Sequence, residues 1–267
     1  MSSPKNPEQN LFVPRRRFLT LAALGVGVGL ASVKSTSALF AEPGRFAEEL
    51  RKTPSMAEGP FYPDKLPLDT DNDLLVLNDS ITPAVGKIVH LGGRVLTAAG
   101  KAINNAFVEI WQVDNTGAYI HTNSNGAKDR DKNFQGYGRF LTNRKGEYYF
   151  RTIKPVSYPG RVPHIHFAVS INGHRVLTTQ MLTRDHAANK KDGLFQRIQD
   201  EEDRLAITAE YKPIADSKFG ELEANFDLVL GITPDENDQH PIKGGVSKPQ
   251  WSQQGGRRRG RRSRQSQ

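Results

Sequence analysis

Two histidines one residue apart, His164 and His166, sit in the apolar, β-branched run HIHFAVSI. In an extended strand residues i and i+2 point to the same face, about 7 Å apart along the backbone, so two imidazoles placed this way can converge on one ion. Arg161 precedes His164 by three residues and Tyr158 precedes Arg161 by three, in a stretch stiffened by Pro155, Pro159 and Pro163. Upstream, Tyr119 closes the run EIWQVDNTGAY. Tyrosine is an uncommon ligand: its phenolate is a hard anion, released when a metal lowers its pKa from about 10, and it stabilises Fe(III) over Fe(II). Taken alone, a His-x-His pair is more often structural than ligating, and periodicity by itself reads the two tyrosines as half-buried aromatics with hydrogen-bonded hydroxyls. The chain has no cysteine. That excludes disulfides, iron–sulfur clusters, zinc fingers and cysteine nucleophiles, and leaves His, Tyr, Asp and Glu to hold any metal.

The elements that must position these residues read as β-structure. From residue 87 onward, KIVHLGGRVL, AFVEIWQV, GRFLT, EYYFRTI, HIHFAVSI and HRVLTTQML are short runs rich in β-branched and aromatic residues. Turn signals separate them at Ala99-Gly100, Asn104-Asn105, Lys145-Gly146 and Asn172-Gly173. Several alternate apolar and polar residues, as half-buried strands of an antiparallel sandwich do. The segment from Asp185 to Glu202 is the best helix candidate, with Leu194, Ile198 and Leu205 near its apolar face, and FDLVLGI at 226–232 reads as a last strand. Residues 42–86 read as an irregular arm broken by repeated prolines, with one short helix around Phe46–Lys52. The expected fold is therefore mainly β: an antiparallel β-sandwich over 87–235 with an irregular N-terminal arm and one or two short helices.

The two ends fall outside that fold. Residues 14–20 read PRRRFLT and lead into a 16-residue uncharged run, Phe18 to Val33, followed by small residues near Ser37 and Ala38. The pattern resembles a twin-arginine export signal over 1–41, and the run falls short of the roughly 20 residues that span a bilayer. Residues 236–267 end in GGRRRGRRSRQSQ, a tail with too little apolar content to bury a surface, read as disordered. The formal charge of +8 concentrates at these ends: six arginines lie in the last twelve residues and a net +4 in the first 41. The stretch between is close to neutral, so composition gives no reason to expect a nucleic-acid partner.

The chain resembles the intradiol ring-cleavage dioxygenases, the family of protocatechuate 3,4-dioxygenase and catechol 1,2-dioxygenase. The matching stretches are EGPFYP (58–63), GRVL (93–96), VEIWQVDNTGAY (108–119), FQGYGRFLTNRKGEYYFRTIKPVSYPGRVPHIHF (134–167) and TTQM (178–181). The resemblance implies an enzyme with Fe(III) held by Tyr119, Tyr158, His164 and His166, with Tyr158 as the tyrosinate that leaves when a catechol chelates the metal. It implies Arg161 as the group that stabilises the substrate's carbanion-like form and Gln180 as a neighbour in the same pocket. The implied reaction takes a small catechol and O₂ to a cis,cis-muconate. The family is usually multimeric, which makes a homo-oligomer the expectation, exported and without a stable membrane anchor. Catechol-type members carry a long helical N-terminal domain, and the short arm here leans toward the protocatechuate type. The ring substituent stays open, since Met181-Leu182-Thr183 follow the TQ pair and the loop from Tyr158 to Arg161 is short. A carboxylated ring would call for a basic residue in the pocket, with Arg175 and Arg184 as candidates.

Rival readings share the fold but not the ligand set. A transthyretin-like or carbohydrate-binding sandwich module has no use for Tyr119, Tyr158, His164 and His166 together. A cupin-like site would need a carboxylate a few residues after the His-x-His, where Ser170 and Ile171 stand.

Overall fold

The computed structural model describes residues 49–77 and 82–231. The export signal at 1–41, the arginine tail at 236–267 and residues 46–48 of the expected arm helix lie outside the described residues. Glu49 to Lys52 are not helical; the Leu50 N–H instead donates to the Ala98 carbonyl.

Two five-stranded sheets face each other. In the first, β1 (Ile88–Thr97) pairs on one side with β4 (Glu147–Ile153) and on the other with β9 (Leu222–Asn225) and then β10 (Leu228–Leu230), and β9 carries β8 (Lys212–Pro213). The second runs β3-β2-β5-β6-β7, from β3 (Tyr137–Leu141) through β2 (Phe107–Trp111), β5 (His164–Ile171) and β6 (His174–Thr183) to β7 (Thr208–Ala209). The sandwich expected from sequence is present, but it is mixed rather than wholly antiparallel: β1 runs parallel to both β9 and β10, and β6 to β7. The expected last strand over 226–232 is shorter, Leu228–Leu230, and Phe226, whose N–H donates to the Gly92 carbonyl, separates it from the unexpected β9.

The core follows from the period of two. Ile165, Phe167 and Val169 of β5 join Val108 and Ile110 of β2, and Val89, Leu91 and Phe150 of the opposite sheet, in one buried cluster. Each such side chain contributes about 1.5–3 kcal/mol on burial. The other face of the second sheet carries His164, His166 and Ala168, with Trp111 opposite His166 on β2 and Gln180 opposite it on β6. That face is also buried, because the arm lies over it, so β5 does not show the polar-out alternation of a half-exposed strand.

A two-residue turn closes the β5–β6 hairpin, and a one-residue register shift at Val169/Ser170 then sets the pairing at the histidines. Asn172 and Gly173 both take positive φ, 50° and 77°, and join Ile171 directly to its partner His174. Residues with positive φ at both turn positions match the twist of the flanking strands, which is why Asn-Gly is favoured there.

The segment after β6 is not one helix. It forms a 3-10 turn (Asn189–Lys191) and two short helices, α1 (Gly193–Gln196) and α2 (Glu201–Ala206). Asp192 and Asp200 each adopt extended backbone and cap the helix that follows, so an aspartate restarts the chain where the expected helix would have continued. Ile198 and Phe195 pack on Val162, Leu182 and Ile207, whereas Leu205 is exposed. Among the described residues no helix is long and apolar enough to cross a membrane.

Gly93, within GRVL, has a steric reason. A Cβ there would collide with the Phe226 carbonyl and lie 2.8 Å from the Tyr148 hydroxyl, which itself donates to that carbonyl. Gly93→Ala should therefore destabilise the fold by about 1–3 kcal/mol or more, measured as a lower urea midpoint at unchanged slope.

Candidate metal centre

Each of the expected ligands is placed by a different local device. His164 and His166 share a face of β5. Tyr158 and Arg161 are the ends of a tight turn, in which each N–H donates to the other's carbonyl, at 3.3 and 2.9 Å. Pro159 and Gly160, the latter at φ 83°, fill the central positions as a type II turn requires. Tyr119 ends a loop knitted by Asp114, whose carboxylate accepts from the N–H groups of Thr116, Ala118 and Asp131. Gly117, at φ 88°, lets this loop pass Tyr158, since a Cβ there would lie 3.4 Å from the Tyr158 Cβ.

These devices bring four heteroatoms together. Tyr119 Oη lies 3.0 Å from His166 Nε2, 3.2 Å from His164 Nε2 and 3.5 Å from Tyr158 Oη, and the two Nε2 atoms are 3.2 Å apart. Tyr119, His164 and His166 are buried and Tyr158 is half-buried.

One of the two imidazoles has its tautomer fixed from outside the group. His164 Nδ1 lies 2.6 Å from the Val162 carbonyl, to which it can only donate, so its Nε2 presents a lone pair to the centre. Burial, then the nearby Arg161 charge, lower the His164 pKa to about 3. Burial, then His164 and Arg161, push His166 well below the ordinary value. Both imidazoles are therefore neutral at pH 7. The Tyr119 hydroxyl has one proton to offer two nitrogens, and burial followed by Tyr158 raises its pKa, so a phenolate forms there only beside a cation. Donors held at about 2.0–2.1 Å from one first-row ion lie about 2.9–3.4 Å from each other at right-angle to tetrahedral geometry. The separations among Tyr119, His164 and His166, 3.0–3.2 Å, fit that figure, and the 3.5 Å between the two phenols lies just beyond it. Among the described residues no group of three or more His, Asp or Glu is arranged to hold a metal, so the donor set depends on the two tyrosines.

The surroundings hold the centre rigid. Trp111 stacks on His166 with ring centroids 4.8 Å apart and planes 9° from parallel, and Phe61 stacks on Tyr119 at 5.2 Å. Gly59, at φ +75°, passes so close that a Cβ would lie 3.5 Å from His166 Cε1. Arg161 Nη1 reaches to 3.4 Å from His164 Nε2, its Nη2 donates to Gln180 Oε1 at 2.5 Å, and Gln180 Nε2 donates to the Ala57 carbonyl at 2.7 Å. All the expected site residues thus stand in one cluster, Gln180 included.

Comparisons with known proteins place the chain in a family. The family model described as Dioxygenase matches residues 57–231. The chain belongs to the intradiol dioxygenase family. It is 38% identical over 121 residues to the protocatechuate 3,4-dioxygenase beta chain of Burkholderia cepacia, covering 42% of this chain and 51% of that one. It is 30% identical over 179 residues to catechol 1,2-dioxygenase 2 of Acinetobacter lwoffii, covering 58% and 62% respectively. The chain thus spans about half to three fifths of the length of these relatives. The dioxygenase domain of a dioxygenase–carbohydrate-binding fusion protein from Streptomyces sp. SirexAA-E superposes with a TM-score of 0.53 at 29% identity, covering 68% of this chain and all of that one.

Several parts of this family site do not announce themselves in the sequence. Trp111, Phe61 and the Ala57 carbonyl carry no motif chemistry of their own. Glu58 and Glu109 both pair with Arg175, whose side chain is 6% exposed, and Tyr62 and Tyr137 donate to Glu109 at 2.7 and 2.8 Å. Arg175 is thus committed to pinning the arm. Arg184 is committed to Glu210 and Thr208. Neither is free to meet a ring carboxylate.

Two outcomes follow. Arg175→Met leaves two buried carboxylates without their cation and should cost about 3–5 kcal/mol in chemical denaturation. The depressed histidines also set a sign for pH. An unfolded histidine binds a proton near pH 6.5, whereas folded His164 does so only near 3. The unfolded state therefore binds more protons between these values, and stability falls as pH drops through that window. For His164 alone the loss at pH 5 is about 2 kcal/mol relative to pH 7.5. Urea titrations of metal-free protein should show it, with a shallower pH dependence in His164→Asn.

Proposed function

We propose that the chain is an Fe(III)-dependent intradiol dioxygenase that opens catechol-type rings between the two hydroxylated carbons with O₂, giving cis,cis-muconate-type products. The observation that carries this reading is the convergence of two imidazoles and two phenols, with Tyr119 Oη 3.0–3.5 Å from the other three and the two Nε2 atoms 3.2 Å apart. Two phenolates and two neutral imidazoles would hold a hard trivalent ion and cancel two of its charges. The names of its relatives point the same way, to catechol, protocatechuate and hydroxyquinol dioxygenases.

Bound ferric iron would supply a Lewis acid and electron sink for a chelated catecholate. The chain's own residues account for the rest. Tyr158, the half-buried ligand on a short turn, is the one free to move aside, and its oxygen is placed to take a proton from a catechol hydroxyl. Tyr119, wedged between Phe61 and His166, stays in place. Arg161 presents a fixed cation toward the negative charge that develops on the ring carbon before O₂ adds. Phe61, Tyr62 and Trp111 keep the back of the site dry. With Arg175 and Arg184 both engaged, an uncharged catechol is favoured over a ring bearing a carboxylate. The reading also includes export by the twin-arginine-type signal at 1–41, a folded and metal-loaded cargo, and a homo-oligomeric state.

Iron-loaded protein should be red-brown from tyrosinate-to-iron charge transfer, and catechol added without O₂ should move the band to longer wavelength. Tyr119→Phe should lose much of that band, and Arg161→Ala should keep the colour while kcat falls about 10²–10³-fold. Catechol should show a higher kcat/KM than protocatechuate. Colourless iron-bound protein would remove the tyrosines from the ligand set and return the fold to a binding role.

A further inference from the structure

A flexible arginine stabilises developing charge only if its guanidinium already points there, and Arg161, only 17% exposed, has a single long contact with the ligand set, Nη1 at 3.4 Å from His164 Nε2. Its orientation is set from outside the ligand set, by the residue that interrupts the expected helix after β6. Asp192 Oδ2 accepts from Arg161 Nε at 2.8 Å and from the Val162 N–H at 3.3 Å. Oδ1 accepts from the Leu194 and Phe195 N–H groups at 3.0 and 3.1 Å, so the carboxylate is held from both sides and its side chain is fully buried. Burial alone would raise the Asp192 pKa, but the Arg161 hydrogen bond and the backbone N–H groups outweigh it and keep the carboxyl below its ordinary value. At the opposite end of the guanidinium, Nη2 is tied to Gln180, which is tied in turn to the Ala57 carbonyl. Two anchors at opposite ends fix the guanidinium plane and leave Nη1 facing the four donors.

We propose that Asp192 is a positioning residue for ring opening: by clamping Arg161 Nε against the cap of α1, it aims the guanidinium at the catechol carbon where charge develops. The inference rests on the proposed dioxygenase function for its kinetic consequence, but its structural content, an Asp192-dependent Arg161 orientation, stands apart from it. Asp192 touches neither the donors nor a bound ring, so its effect passes entirely through Arg161.

Asp192→Asn keeps an oxygen to cap α1 but puts an amide donor against Arg161 Nε. Iron content, colour and the anaerobic catechol shift should match the parent protein, while kcat drops about a hundredfold, the scale of a 1 Å misplacement, and KM changes much less. The crystal structure of the variant should show Arg161 turned away from Gln180. Asp192→Glu, which keeps the charge but displaces the clamp by one methylene, should fall between the two in kcat and serves as the test if Asp192→Asn does not fold. Asp200→Ala removes the comparable cap of α2, away from the site, and should leave kcat unchanged. Parent-level kcat in Asp192→Asn or Asp192→Glu, or an unmoved Arg161 in the variant structure, overturns the proposal. If the parent protein opens no catechol, the dioxygenase reading fails, and the position of Arg161 in the variant still decides whether Asp192 aims it.

Discussion

The convergence of four polar side chains on one buried point is what the surrounding structure has to hold. Two imidazole nitrogens 3.2 Å apart, with Tyr119 Oη within 3.2 Å of each, crowd few protons into a pocket that burial has dried. Nothing within the quartet holds it together. Val162 locks one imidazole through its Nδ1, Trp111 clamps the other by stacking, and the turn at Pro159-Gly160 and the Asp114 loop deliver the phenols. Interiors tolerate such strain at functional sites only when the surrounding structure over-determines it.

The second sheet supplies that over-determination through register. One face of β5 is sunk into the sandwich core by Ile165, Phe167 and Val169, so a slip by one residue would bury the histidines in hydrocarbon and put the phenylalanine among the polar groups of the site. The positive-φ pair Asn172-Gly173 closes the hairpin, and the register shift at Val169/Ser170 then sets Gln180 opposite His166, with Trp111 on its other side. Core packing and site geometry are thus two consequences of one strand alignment.

Legibility in the sequence followed the range of the interactions. The first six strands and their turns were readable because period-two patterning and Gly or Asn at positive φ are local signals. The His-x-His face was readable for the same reason, whereas Tyr119 and Tyr158 became candidates for one centre through family resemblance, since no local rule joins residues 39 apart. The parallel pairing of β1 with β9 and β10 was invisible because partners so distant in the chain leave no pattern in either segment. The helix after β6 was misjudged for a physical reason. Its apolar spacing was genuine, but Asp192 and Asp200 compete for backbone N–H groups more effectively than helix continuation does, and at Asp192 the gain is a carboxylate shared with Arg161. The buried pairing of Glu58 and Glu109 with Arg175 likewise joins three distant segments that no local pattern links.

The covering arm has a kinetic side. It is synthesised early, yet its anchors lie far downstream: Glu58 meets Arg175 across 117 residues, Ala57 meets Gln180 across 123, and Thr53 meets Val229 across 176. Contacts of such span carry the largest loop-closure cost and form after local hairpins. The strand carrying the histidines can therefore assemble before its cover arrives, and the nascent chain passes through an open-faced stage in which the donors are still wet. Docking of the arm is the step that dries them, so the earliest-made part of the fold completes the centre last.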